Sequence, residues 1–305
     1  MRMKSLKLWI AVATLVLTAS CGTTGTVPVT GRKQSLLVSD DQVLTLSYQE
    51  YNNYMKTAKP STNAANTAMV KRVGQKLASA VVSYLNANGM GADVQQYQWE
   101  FNLVQDQNIN AFCMPGGKIV VYEGLLPVTG DEQSLAIVLG HEIAHAVAKH
   151  AAERMSNSIR AEYGSQILGT VLSGASTSTQ TIGALAFGLG SQLGAAAYSR
   201  SQESEADKMG LIFAAMAGYN PQVAVSFWQR MAESTGNSYS LLSTHPSDAT
   251  RIKNIKTWLP EAMKYYKGGV VSQTTVSASA LAGKSSPKNN TRQKTVGTLH
   301  IGTKK

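Results

Sequence analysis

The chain has 305 residues, 43% of them hydrophobic, which suits one domain of ordinary size with a full apolar core. Its formal charge is +10, but the excess sits at the two ends: Arg2, Lys4 and Lys7 at the start, and Lys284, Lys288, Arg292, Lys294, Lys304 and Lys305 at the finish. Residues 22–267 are close to neutral, so the basic balance makes no case for nucleic acid as a partner.

Residues 1–20 read as a signal peptide: a basic start, an apolar run from Leu8 to Leu17, then Thr18, Ala19 and Ser20 leading into Cys21. The apolar run is too short for a permanent membrane span. Small residues running into a cysteine resemble a bacterial lipobox, although a leucine is commoner where Thr18 stands. The resemblance implies that Cys21 is lipidated, becomes the mature N-terminus and holds the chain to a membrane. No aspartate follows Cys21, which in such lipoproteins implies the outer membrane. Residues 21–38 then form a lipidated tether that wraps onto the domain. With Cys21 lipidated, Cys113 has no disulfide partner.

The domain is expected over residues 39–267. Ser39-Asp40-Asp41 starts a helix that runs to about Thr57, and a second helix spans about Ala65 to Leu85 with Met69, Val70, Val73, Leu77 and Val81 on one face. Tyr97, Trp99, Phe101 and Leu103 alternate with polar residues as a half-buried strand. Turns are expected at Asn108–Asn110 and Pro115–Gly117, followed by a second strand at Lys118–Tyr122.

Gly130-Asp131-Glu132 opens the next helix, read as continuing to about Ser156. It carries His141-Glu142-Ile143-Ala144-His145, the H-E-x-x-H spacing of metalloproteases. Residues four apart share a helix face, so His141 and His145 can hold one zinc ion. Glu142 adjoins them and is placed to act as general base on a water that the metal acidifies. His150 lies five residues past His145 and is expected to cap or line the same helix.

Residues 161–197 are punctuated by seven glycines, and three readings stay open: a plain helical hairpin, a mobile lid, or a membrane-inserting hairpin. A further helix follows to Met216, carrying Glu203-Ser204-Glu205-Ala206-Asp207. A catalytic zinc needs a third protein ligand, and Glu203 supplies one. Asp207, one turn on, can accept the free N–H of a zinc histidine. Glu205 points away from Glu203 and is expected in solvent. Two helices follow, from Gln222 to about Ser234 and from Thr244-His245-Pro246 to about Tyr266. Residues 268–305 hold no Asp or Glu and read as a disordered basic tail.

Four stretches together resemble the HtpX-like family of zinc metallopeptidases (metallopeptidase family 48), which includes the CAAX prenyl endopeptidase. They are residues 110–119, His141–His145, Ser199–Asp207, and Thr244-His245-Pro246 with Arg251. The likeness is greatest to the periplasmic lipoprotein branch of BepA and LoiP, here without tetratricopeptide repeats. The resemblance implies an α+β, mainly helical, gluzincin-type domain with a small β-sheet packed on the metal-site helix. It places the third ligand on Glu203 and the family's aspartate on Asp207. The implied function is a zinc endopeptidase, one Zn2+ per chain, that cleaves misfolded or unfolded proteins of the bacterial cell envelope. An extended substrate is expected to add to an edge strand through Lys118, Ile119, Val120 and Val121. Glu142, Asp207 and His245 complete the expected catalytic set, with His245 either stabilising the oxyanion or blocking the metal's open position. The competing reading is a lipid-anchored zinc-binding chaperone with a blocked site.

Overall fold

The computed structural model describes residues 23–173, 198–234 and 249–268. Cys21 and the signal peptide, His245, residues 174–197 and the tail from 269 lie outside these residues.

The expected tether is built structure. Strands β1 (Thr23–Thr26) and β2 (Lys33–Leu36) form an antiparallel hairpin with Thr23 opposite Leu36. Val27, at its turn, is 1% exposed and joins the main core, while Leu36 packs with Val43 and Met155. Helix α1 (Asp40–Thr57) opens with a reciprocal cap: the Ser39 side chain accepts from the Gln42 N–H, and the Gln42 side chain accepts from the Ser39 N–H. Helix α2 (Ala64–Ala87) buries the predicted stripe of Met69, Val70, Val73, Leu77, Val81 and Leu85.

Strands β3 (Glu100–Val104), β4 (Ala111–Met114) and β5 (Lys118–Tyr122) form one sheet in the order β3-β5-β4, with β3 parallel and β4 antiparallel to β5. Sequence periodicity missed β4, because four residues between two turns are too few to show a period. Its existence corrects the expected docking strand. Lys118, Ile119, Val120 and Val121 lie on the central strand, hydrogen-bonded to neighbours on both sides, and the last three are fully buried. No substrate can pair with them; the strand edge beside the metal-site helix belongs to β4.

Helix α3 (Glu132–Val147) is capped by Asp131, whose side chain accepts from the Ser134 N–H at 2.7 Å. It is apolar nearly all round because it is covered nearly all round, by α2, β4, α5 (Arg200–Met216) and α6 (Val223–Ser234). The expected continuation to Ser156 does not occur. Lys149 adopts φ 53°, and a new helix, α4 (His150–Ser173), starts after it. The Lys149 ammonium holds this break, donating to Asp40 at 2.8 Å and Asp93 at 2.9 Å. The α4 backbone passes through Gly164 and Gly169 unbroken. The last described helix, α7 (Ala249–Ala262), packs on α5. The fold is mainly helical with small sheets, as a gluzincin-type peptidase domain is. No helix among the described residues is long and apolar enough to cross a membrane.

Candidate metal centre

Two glycines decide how close α3 and α5 come. A methyl group on Gly210 would lie 2.7 Å from the His141 backbone nitrogen, and one on Gly140 would lie 2.8 Å from the Gly210 carbonyl oxygen. Only paired glycines permit this contact of backbone on backbone. Glu203, Asp207 and Gly210 share one face of α5 at helical spacing, so the crossing carries both carboxylates to the histidine face of α3. Ser199 and Gln202 fix the start of α5 by a second reciprocal cap.

The result is a buried convergence. The Nε2 atoms of His141 and His145 lie 3.1 Å apart. Glu203 brings Oε2 to 3.5 Å from His141 Nε2 and Oε1 to 3.4 Å from His145 Nε2. All three residues are buried. Ligand atoms about 2.05 Å from a tetrahedral zinc would be separated by about 3.3 Å, so the donor set and its spacing fit such an ion. Glu142, 3% exposed, follows His141 on the same helix.

Polar groups behind the ligands set their orientation. His141 Nδ1–H donates to Asp207 Oδ1 at 2.8 Å, which leaves the Nε2 lone pair facing the convergence. Arg251, from α7, grips Asp207 with Nε at 2.7 Å and Nη2 at 2.8 Å, and Nη2 reaches Glu203 Oε2 at 3.2 Å. Its guanidinium lies 3.7 Å from the Trp228 ring centroid, so an aromatic face shields the buried cation. Burial alone would push the Asp207 carboxyl up; Arg251 and His141 outweigh it and hold the group below the usual carboxylate range.

His145 has its own support. Its ring stacks on Tyr198 with centroids 4.0 Å apart, and Nδ1 lies 2.9 Å from Nδ1 of His150. Burial, helped by the charge of Glu142, pushes the Tyr198 hydroxyl up to about 12 against the lowering effect of Arg154, so it stays protonated. The break at Lys149 re-aims His150, which opens α4 and turns its ring back on His145 of α3. Glu205 is not in solvent either. It is 8% exposed and bonded to His150, Arg32 and Thr30. Burial would raise its carboxyl, but those bonds hold it down at about 2.

The structure thus brings together His141, Glu142, His145, Glu203 and Asp207, separates them from a docking role for Lys118–Val121, and does not describe His245 or Cys21. Sequence reasoning missed His150, Glu205 and the glycine pair. Gly140 immediately before His141 and Gly210 seven residues after Glu203 were the legible sign of a close helix crossing.

The profile of peptidase family M48 matches residues 64–259, which span α2 through most of α7. The mitochondrial metalloendopeptidase OMA1 of Schizosaccharomyces pombe is 37% identical over 173 residues, 54% of this chain and 48% of the relative. The mitochondrial metalloendopeptidase OMA1 of Bos taurus is 34% identical over 248 residues, 78% of this chain and 46% of the relative. The beta-barrel assembly-enhancing protease of Yersinia pestis is 28% identical over 186 residues, 58% of this chain and 38% of the relative. The chain therefore spans about half the length, or less, of these relatives. With the matched region covering well over half of the chain and enclosing the whole buried convergence, the protein belongs to peptidase family M48.

Proposed function

We propose that the protein is a zinc-dependent endopeptidase of the bacterial cell envelope, holding one Zn2+ per chain on His141, His145 and Glu203. The observation that carries this reading is the three-ligand convergence with Glu142 adjoining it on α3. A structural zinc site needs no base; among the described residues, three ligands beside a buried glutamate suit catalysis. When bound, zinc supplies Lewis acidity towards a peptide carbonyl and acidifies water. Glu142 takes the water proton and returns it to the leaving amine. Asp207 and Arg251 keep His141 and Glu203 in place, and His245 acts at the same centre, either on the oxyanion or as a latency ligand.

An extended substrate lies along the outer edge of β4. Tyr122 N–H donates to the Asn110 carbonyl across β4–β5, so by strand alternation Ala111 and Cys113 turn their backbone groups away from β5. The Ala111 N–H is taken by the Asn110 side chain, so the Ala111 carbonyl and the two Cys113 backbone groups are the ones a substrate strand would have to reach, both residues being buried in this structure. Backbone docking of this kind favours unfolded chain over a particular sequence, and hence misfolded envelope proteins as substrates. The signal-like residues 1–20 and the small-residue run into Cys21 support lipid attachment, facing the periplasm from the outer membrane. Likeness to a beta-barrel assembly-enhancing protease favours the same setting.

Casein cleavage tests the reading. It should stop with a chelator, return with zinc, and fall by about 10²–10⁴ in Glu142→Gln while zinc binding and fold persist. A zinc-loaded chain that never cleaves, or a Glu142→Gln variant of near-normal turnover, refutes it and favours a binding protein.

A further inference from the structure

His141 and His145 are supported by different devices. Behind His141 stands the carboxylate of Asp207. Behind His145 stands a second imidazole, His150, fully buried and 2.9 Å away, Nδ1 to Nδ1. A metal ligand must present a bare Nε2, so the His145 proton sits on Nδ1 and is donated to His150. His150 Nδ1 is then the acceptor and its own proton lies on Nε2, which faces Glu205 Oε2 at 3.0 Å. Every proton along this line has one consistent place.

The line continues into the N-terminal hairpin. Arg32 Nε donates to Glu205 Oε2 at 2.8 Å, and the Thr30 hydroxyl donates to Glu205 Oε1. Arg32 also holds Glu153, on α4, through both of its terminal nitrogens, at 2.6 and 2.9 Å. The hairpin turn that presents both residues carries Val29 at φ 65°, a conformation that a β-branched residue adopts only under constraint.

We propose that His150 and Glu205 are positioning residues for His145, and that Thr30 and Arg32 anchor this relay in the N-terminal hairpin. The inference rests on the reading of His145 as a zinc ligand. The relay fixes the His145 ring and its tautomer, and the carboxylate at its far end raises the basicity of His145 Nε2 towards the metal. The residues before the family's matched region are thereby part of the metal site, which a mere tether would not be.

The test measures zinc affinity of the full chain by chelator competition, together with the visible spectrum of the cobalt-loaded protein. Glu205→Gln keeps the shape and removes the charge. His150→Phe keeps the ring volume and removes the acceptor, while His150→Asn restores an acceptor at the Nδ1 position. Ser156→Ala is the packing control: Ser156 is fully buried and accepts from the Leu37 N–H at 2.8 Å, holding the same hairpin to α4 without touching the relay. Glu205→Gln and His150→Phe should bind zinc about 10–100-fold more weakly and shift the cobalt bands, with His150→Asn closer to wild type and Ser156→Ala unchanged. If His150→Phe does not fold, Glu205→Gln decides. Wild-type affinity and spectrum in Glu205→Gln overturn the relay alone, as does an equal loss in Ser156→Ala. A wild-type chain that takes up no zinc overturns the proposed function and the relay with it.

Discussion

Gly210→Ala adds a single methyl group, yet it should disable the metal site. The added carbon would lie 2.7 Å from the His141 nitrogen and 2.9 Å from both Gly140 C and His141 Cα. Non-bonded carbon contacts are comfortable from about 3.5 Å, so α3 and α5 must part by about 0.7 Å or more. None of the three obstructing atoms is a side chain that can swing aside. Metal sites tolerate about 0.2 Å in ligand placement, and Glu203 rides on the displaced helix. Zinc affinity should fall about tenfold or more. Overpacking costs about 1–3 kcal/mol, offset by about 0.5–1 kcal/mol from replacing a helical glycine. The net loss of about 1–2 kcal/mol should lower Tm by a few degrees. Chelator competition and thermal unfolding measure both effects. Gly74→Ala is the comparison, since its methyl would strike the Phe101 ring, away from the metal ligands, and should cost stability while sparing affinity. A Gly210→Ala chain with unchanged zinc affinity and a raised Tm would refute the close-crossing argument.

Glu203→Ala should abolish zinc uptake outright, where Glu205→Gln only weakens it; metal analysis that ranks the two variants the other way would reassign the third ligand. His245→Ala should raise casein cleavage at saturating zinc if His245 is a latency ligand, the outcome we expect, whereas a fall of about 10²–10³ in turnover would make it an oxyanion donor. Cys21→Ala should lose labelling by a fatty-acid probe and leave the membrane fraction; unchanged labelling would exclude lipidation at this residue. Acid stability follows from Glu205, whose carboxyl is held at about 2 in the fold against an ordinary 4.5. Its stabilisation is complete above about pH 4.5 and is lost as the pH falls towards 2. In the metal-free chain, Tm should therefore drop more steeply across that window for wild type than for Glu205→Gln, and parallel profiles would show that the carboxylate carries no such linkage.

Much of the ligand set was legible before any fold was known. His141 and His145 share a helix face by spacing alone, and Glu203 with Asp207 repeats the same relation on another helix. The long amphipathic stripe of α2 and the cap at Ser39 fixed two helices from local chemistry. Local rules failed where the chain makes short or broken elements. Four-residue β4 shows no period, so periodicity alone presents the central strand as an edge. The helix break at Lys149 is held by Asp40 and Asp93, residues far away in the chain, and no local signal announces it.

By itself, then, the sequence determined which side chains can bind a metal and act as a base, because helical spacing and residue chemistry are local properties. Tertiary structure alone decided which of them meet. The Gly140–Gly210 crossing sets the distance between two helices nearly seventy residues apart in the chain. Re-aimed by the break, His150 meets Glu205, 55 positions further along the chain, and Glu205 in turn meets Arg32, 173 positions before it. Such contacts depend on how whole elements pack, and a buried charge is tolerable only where packing delivers its partner.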